Sequence, residues 1–263
     1  MFGAERDVYA SLLRLRDEFG VTGIKAEFEA EGSTQTDLIR LRRITMAAGM
    51  QLHLKIGGVE AVSDIRTSVE LGVDGLVAPM VESPFGLKKF LEAYRSVYGT
   101  ERIALSINIE TAGAVAALDG IIALAKAEGS SGPAVDDFTI GRTDLSASWM
   151  DPAIVPDCPF ILDKVREISA KAASAGIPST LGGSISAATA ELLRKRPEIV
   201  EHVVDIETRK VIIPKASFLA GEEALDEALH FEEVWILSRA EVNHLAVGSD
   251  IKRLEKLRAR QGR

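Results

Sequence analysis

Two carboxylates stand at the ends of apolar segments in this chain. Glu110 follows the alternating segment 103–109, and Asp144 comes shortly after the alternating segment 135–140. Alternation of this kind predicts strands, and a helix-like run follows each of them. If the strands are parallel neighbours, both carboxylates lie at one rim, where hard oxygen ligands suit Mg²⁺ or Mn²⁺. Taken singly, each acid also suits a helix start or an N-cap, and only their matching positions favour a metal site.

A repeated strand–helix unit extends over most of the chain. After an opening helix at 6–18, strands are predicted at 23–28, 51–56, 75–80, 103–109, 137–141 and 178–181, and helices at 36–48, 59–71, 84–98, 113–127, 160–175 and 186–196. This alternation predicts an α/β fold, and a closed (β/α)8 TIM barrel is favoured because no Gly-x-Gly-x-x-Gly follows the first strand. Segment 202–214 predicts two strands joined by a short turn. Such a pair must be antiparallel, so an irregular closure is expected.

The C-terminal part predicts two helices, at 221–240 and 249–260. The first has Phe231, Val234, Trp235 and Leu237 on one side. We expect a single barrel domain over residues 1–263, with 221–263 as helices that pack on the barrel or on a neighbouring subunit.

Composition narrows the class of protein. The 263 residues are 46% apolar and 27% charged, with a net charge of −8, typical of a globular domain. The negative charge argues against nucleic acid as a partner. No apolar run is long enough for a membrane span, and no cleavable targeting segment is expected. The lone cysteine, Cys158, is compatible with a reducing compartment, so we expect a cytoplasmic protein with no membrane partner.

Three blocks of sequence carry a resemblance to a known family. They are residues 54–83, 106–115 and 138–149, which contain Gly-Leu-Val-Ala-Pro-Met-Val-Glu-Ser at 75–83, Ile-Glu-Thr at 109–111 and Gly-Arg-Thr-Asp-Leu-Ser-Ala-Ser at 141–148. Over about residues 14–205 the chain resembles the HpcH/HpaI aldolase and citrate lyase β-subunit family of metal-dependent carbon–carbon lyases. The resemblance implies that Glu110 and Asp144 are metal ligands. It also implies a homo-oligomer with sites near the subunit boundaries.

The resemblance predicts a reaction. The protein is expected to be a divalent-metal-dependent carbon–carbon lyase or aldolase that acts through the enolate of a 2-oxo acid such as pyruvate, with an aldehyde as the other substrate. Mg²⁺ or Mn²⁺ would act as a Lewis acid on the chelated 2-oxo acid. Two alternatives stay open. One is a citrate-lyase-like enzyme acting on a CoA thioester, and the other is a catalytically inactive barrel that serves as a binding or assembly subunit.

The second predicted strand departs from the family's pattern. It ends with Lys55, where relatives commonly carry an arginine that grips the substrate's carboxylate and keto oxygen. Lysine keeps the charge but lacks the planar guanidinium. Arg142, where aldolase relatives often carry proline, is predicted to supply it, with an exposed loop cation as the alternative. A Schiff base on Lys55 is disfavoured because the carboxylate pair is retained.

The acid/base residue departs from the pattern as well. Aldolases of the HpaI type have a Glu-His step after the first matching strand, and residues 24–33 of this chain contain no histidine. Glu29 is predicted as the acid/base, with Glu27 and Lys25 as alternatives and surface glutamates as the structural interpretation. The citrate lyase branch has an acidic segment here, so the missing histidine does not exclude catalysis.

Other residues near the carboxylates are predicted to contact the substrate. Asn108 lies on the same side of its strand as the glutamate two residues later, where it would orient a ligand or a bound water. A polar residue filling the barrel interior is the alternative. Gly141 and Thr143 are the other predicted substrate contacts. The turn at 182–184 offers backbone amides to an anion, and segment 207–210 is a further candidate for the same rim.

Overall fold

The structure is a computed structural model that describes residues 1–129, 132 and 134–260. Its strands are β1 (Gly23–Glu27), β2 (Gln51–Lys55), β3 (Gly75–Ala78), β4 (Ala104–Ile109), β5 (Asp137–Gly141), β6 (Ser179–Gly182), β7 (Asp205–Glu207) and β8 (Val211–Pro214). The helices are α1 (Glu5–Phe19), α2 (Gln35–Ala48), α3 (Val62–Leu71), α4 (Pro84–Tyr98), α5 (Ala112–Ala116), α6 (Leu118–Ala127), α7 (Arg142–Ala147), α8 (Pro159–Ser174), α9 (Ala187–Lys195), α10 (Lys215–Ala220) and α11 (Glu223–Arg260), with a 3₁₀ turn at Pro197–Val200.

In the described part of the chain, eight strands close into a barrel in chain order. Strands β1 to β7 are parallel, and β8 is antiparallel to both β7 and β1. The predicted TIM-barrel-like α/β fold is therefore confirmed, with its irregularity at the predicted antiparallel pair. None of the described helices combines the length and apolar character needed to cross a membrane.

Local capping explains where several helices begin at the carboxyl ends of the strands. The Thr34 side chain and Asp37 form a reciprocal capping box at the start of α2. Ser83 caps α4 ahead of Pro84, and Ser186 caps α9. These side chains satisfy backbone N–H groups that lack a partner within the helix, so the chain turns from strand to helix at a defined residue.

Two predicted helical segments differ in the structure. Segment 113–127 forms two helices, α5 and α6, which meet at Ala117. Segments 221–240 and 249–260 form one continuous helix, α11, and the prediction of two helices was wrong. No proline interrupts α11, and Gly248 is its main weak point. A glycine within a helix costs only about 1 kcal/mol relative to alanine, which is too little to end the helix there.

The first half of α11 packs on the chain's own barrel, against α1. Phe231 and Trp235 are buried there, and Arg14 Nε donates to Glu227 Oε2 at 2.9 Å. Leu237, predicted on the same side, is 55% exposed. Leu237 lies two residues past Trp235, about half a turn around the helix, and therefore faces solvent rather than the barrel.

The barrel interior contains a half-buried carboxyl group, Asp137, at the start of β5. Asp137 accepts hydrogen bonds from Ser106 Oγ at 2.9 Å, from Thr139 Oγ1 at 3.0 Å and from Thr180 Oγ1 at 2.9 Å. Burial raises the pKa of Asp137 from 3.8 to about 7, although the three hydroxyl donors lower it. The folded chain therefore keeps a proton on Asp137 at a pH where an unfolded chain has lost it.

This proton gives the free energy of unfolding a testable pH dependence. Between about pH 4 and pH 7 the folded chain binds more protons at Asp137 than the unfolded chain, so stability falls as the pH rises, by up to about 4 kcal/mol. Asp137→Asn cannot ionise and should lack this component. In urea unfolding between about pH 5 and pH 8, the free energy of unfolding of Asp137→Asn should increase relative to that of the natural chain as the pH rises. A constant difference would contradict the assignment.

Candidate active site at the carboxyl ends of the strands

A cavity of about 490 Å³ opens at the carboxyl ends of the barrel strands. In barrels of this architecture this end is where active sites are built. The cavity brings together five of the residues predicted from sequence to contact metal or substrate and also the predicted catalytic lysine. These are Glu110, Asp144, Asn108, Gly141, Thr143 and Lys55.

Glu110 lies at the end of β4 and is 3% exposed. Its Oε1 accepts the Met80 N–H at 3.0 Å, and its Oε2 accepts from Asn108 Nδ2 at 3.0 Å. Burial raises the pKa of Glu110, against the lowering effect of the Met80 N–H and of the Lys55 charge. Two hydrogen bonds thus fix the direction of a carboxylate that is largely removed from water.

The backbone around Glu110 is shaped to accept this carboxylate. Met80 has φ of 53°, a conformation that costs a non-glycine residue energy and is typical of functional sites. A Cβ on Gly141 would lie 2.6 Å from Glu110 Oε2. Glycine is therefore required there by space, because any side chain would displace the carboxylate.

Asn108 points into the cavity beside Glu110 and is 3% exposed. Its Nδ2 donates to Glu110, and its Oδ1 is buried with no hydrogen-bond partner in the described part of the chain. A buried amide oxygen without a partner is costly. It is therefore an acceptor that a bound cation, water or substrate hydroxyl would satisfy.

Asp144 and Thr143 come from α7, the short helix that follows β5. The Asp144 side chain is exposed at the cavity, and its charge contributes to the raised pKa of Glu110. Thr143 Oγ1 lies 2.8 Å from Ser184 Oγ, which joins the rims after β5 and β6. Two carboxylates and one amide oxygen thus face one polar cavity.

The donor set suits a hard divalent cation. In the described residues, no group of three or more His, Cys, Asp or Glu side chains is arranged to hold a metal by itself. Glu110, Asp144 and the unsatisfied Oδ1 of Asn108 offer oxygen only, the chemistry that Mg²⁺ prefers, with the remaining positions left to water and substrate. The residues present therefore fit such an ion.

Lys55 ends β2, which only β3 separates from the strand that carries Glu110. Its Nζ lies 3.2 Å from Glu27 Oε2. Burial lowers the pKa of Lys55, but the charges of Glu27, Glu110 and Asp144 outweigh it, so that its pKa is raised. Lys55 is therefore a protonated cation at neutral pH.

Arg209 supplies a guanidinium at the mouth of the cavity. Its Nη1 lies 3.3 Å from Glu27 Oε1 and its Nε lies 3.8 Å from Glu232 Oε1. The side chain is 51% exposed, so part of the guanidinium faces solvent. The sequence offered Arg209 only as one of four rim candidates, and nothing in the sequence signalled that Glu232 of α11 would line this cavity.

Arg142 is not in the cavity, although its neighbours in α7 are. The side chain is fully buried, with Nε donating to the Gly182 carbonyl at 3.2 Å, Nη2 to the Gly183 carbonyl at 2.6 Å, and Nη1 paired with Asp157. The expectation that Arg142 supplies the guanidinium for a substrate therefore disagrees with its position. The alternative of an exposed loop cation is wrong as well.

Glu29, the predicted acid/base, is exposed beside Gly57 and does not line the cavity. Glu27 and Lys25, the two alternatives on β1, do line it. Lys25 pairs with Glu207 of β7, and both are buried. The carboxylates of this wall are therefore held by cations from β1, β2 and the turn after β7.

A second cavity, of about 600 Å³, lies at the amino ends of the strands. Its arginines are already paired, with Arg95 Nη1 2.6 Å from Glu128 Oε2 and Arg102 Nη2 2.7 Å from Asp136 Oδ1. Self-paired surface charges of this kind suit a structural role. The cavity that holds Glu110 and Asp144 is the better candidate for chemistry.

Comparison with known proteins identifies the class of fold. The structure matches an HpcH/HpaI aldolase from Desulfitobacterium hafniense with a TM-score of 0.58 and 17% identity, over 76% of this chain and 82% of that one. An HpcH/HpaI aldolase/citrate lyase family protein from Burkholderia cenocepacia matches with a TM-score of 0.58 and 16% identity, over 84% and 89%. The citrate synthase SbnG matches with a TM-score of 0.52 and 18% identity, over 72% and 79%.

The chain thus shares the fold of HpcH/HpaI aldolase and citrate lyase family proteins over most of its length. No family model matches the sequence, and no curated protein matches it significantly. At this level of identity the likeness concerns the fold.

The position of Arg142 predicts a structural effect of its loss. Arg142→Met would leave the Gly182 and Gly183 carbonyls without their donor, which should cost on the order of 3 kcal/mol of stability. Arg102→Met removes a half-exposed ion pair with Asp136 and should cost less than about 1 kcal/mol. Chemical denaturation of both variants tests this. Equal, small losses would show that the Arg142 guanidinium is not a structural support.

Proposed function

We propose that the protein is a divalent-metal-dependent carbon–carbon lyase that acts on a 2-oxo acid, most simply a pyruvate aldolase. One observation carries the proposal: Glu110, Asp144 and the unpartnered Oδ1 of Asn108 face a single cavity that Lys55 also lines. The shared fold with HpcH/HpaI aldolases supports the same assignment.

The metal would be held by Glu110 and Asp144, with Asn108 as a third oxygen or as the group that orients a bound water. Mg²⁺ or Mn²⁺ would supply Lewis acidity to the keto oxygen of the substrate. The hydrogen bonds from Met80 and Asn108 keep Glu110 aimed at the cavity before any ion arrives. Preorganisation of this kind lowers the cost of binding.

Lys55 is proposed to neutralise the oxygen on which negative charge develops as the carbon–carbon bond breaks. A Schiff base requires a neutral amine, and the carboxylates around Lys55 favour its charged form. The protonated lysine therefore serves as a fixed positive charge, and Arg209, at the cavity mouth, is placed to bind a substrate carboxylate in the role first given to Arg142.

Proton transfer is proposed for Glu27, which the sequence offered as an alternative to Glu29. Glu27 is 6% exposed, lines the cavity, and lies between the Lys55 and Arg209 cations. A carboxylate held next to the group that neutralises the developing charge is within reach of the proton that must move. Glu29 lies outside the cavity.

Activity and metal binding test the proposal together. Pyruvate release from a panel of 4-hydroxy-2-oxo acids should require added Mg²⁺ or Mn²⁺. Glu110→Gln and Asp144→Asn should weaken metal binding by more than the 10- to 100-fold that loss of an outer-shell partner costs. Glu92→Gln, on the exposed surface of α4, is the matched control. Unchanged calorimetric affinity in both cavity variants would remove the metal site. Activity on CoA thioesters alone would favour a citrate-lyase-like enzyme. Metal binding without activity on any substrate would favour a catalytically inactive barrel.

Lys55→Met separates catalysis from substrate binding. If the Lys55 charge acts as the bond breaks, kcat and kcat/KM should fall alike, on the order of 100-fold or more, because the interaction is gained only in the transition state. Steady-state kinetics on the best substrate measure this. Borohydride with pyruvate should leave no adduct on Lys55, and an adduct found by mass spectrometry would reverse the assignment.

A further inference from the structure

An apolar stripe follows the outward face of α11. Leu237, Val247, Ile251 and Leu254 are 45–55% exposed, and with Ala240 they recur at intervals of three, four and seven residues. Residues at this spacing share one side of a helix and form the a and d positions of a coiled coil. The stripe faces away from the buried Phe231 and Trp235, so α1 and the barrel do not cover it.

The same helix extends beyond the barrel. The N–H of Ala4, just before α1, donates to Glu241 Oε2 at 2.8 Å. Residues 242–260 continue the helix for about 28 Å past this contact. Most helical stability in proteins comes from the packing of an amphipathic face. The exposed stripe is therefore suited to packing against a partner.

The charges along α11 indicate what that partner is. Residues 222–241 carry seven Asp and Glu and one Arg, whereas residues 252–260 carry five Lys and Arg and one Glu. A parallel pair of these helices would set like charges together along its length. An antiparallel pair sets the basic end of each helix beside the acidic part of the other, and it also opposes the two helix dipoles.

We propose that two copies of this chain associate through α11 as an antiparallel coiled coil. In antiparallel pairs an a position faces a d position of the partner. Shifts of seven residues keep this rule, and one register also keeps the whole of residues 233–258 in contact. It pairs His244 with Val247 at the centre, and then Ala240 with Ile251, Leu237 with Leu254 and Glu233 with Arg258 of the second copy. The Glu233 side chain is 70% exposed and Arg258 is exposed. The register thus ends, on both sides, in a pair of opposite charges.

Mutation of the stripe tests the interface. The double variant Val247→Glu, Ile251→Glu should halve the mass found by light scattering, because it buries four carboxylates at the centre of the pair. Leu245→Glu is the matched control. Leu245 is 52% exposed on the opposite side of the same helix, and its variant should keep the mass of the natural chain. Circular dichroism at the same concentration reports whether α11 stays helical.

Charge reversal tests the register. Glu233→Arg or Arg258→Glu alone should raise the dissociation constant of the pair by about tenfold, since like charges then meet at both ends. The double variant Glu233→Arg, Arg258→Glu should restore it. Sedimentation equilibrium measures all four proteins. A monomeric natural chain at tens of micromolar, an unchanged mass in the Val247→Glu, Ile251→Glu variant, or no recovery in the charge-swapped protein would overturn the proposal.

Discussion

The buried carboxylate of Glu110 is the constraint around which the rim of this barrel is arranged. A negative charge removed from water needs donors, and the backbone of Met80 and the side chain of Asn108 provide them. That requirement fixes the left-handed conformation of Met80, excludes a side chain at Gly141, and leaves the other oxygen of Asn108 facing the cavity. Glu110 thus determines the shape of three neighbouring segments, which come from β3, β4 and β5.

Charge balance is the second constraint. The cavity also holds two buried carboxylates that are paired with cations: Glu207 with Lys25 of β1, and Glu27 with Lys55 of β2 and with Arg209. Carboxylates that are buried without partners are strongly penalised. Because the cations are shared among several carboxylates, an anionic substrate that binds Lys55 or Arg209 competes with Glu27. A substrate of this kind therefore binds by displacing Glu27 from Lys55 or Arg209, because both cations are already paired.

Much of the fold could be predicted from the sequence because it depends on local pattern. The alternation of strand and helix, and the short turn that makes β7 and β8 antiparallel, are properties of neighbouring residues. The two carboxylates at matching strand ends were found in the same way. The orientation of the Arg142 side chain could not be predicted in this way, because it depends on the carbonyls of Gly182 and Gly183, about forty residues away in the sequence. The position of Glu29 depended on strand register to two residues, and sequence alone does not fix that.

The reversal of β8 has a consequence for how this rim can change. After each of the first six strands the chain leaves the rim through a connection to a helix, and such connections tolerate insertions. The segment after β7 is a three-residue hairpin turn, with the Thr208 N–H bonded to the Val211 carbonyl at 2.9 Å. Arg209 lies at its tip. Hairpin geometry fixes the length of such a turn. The Arg209 guanidinium therefore lies on the part of the rim where insertions are least tolerated. Divergence in substrate preference among homologues would then be expected at the other six connections.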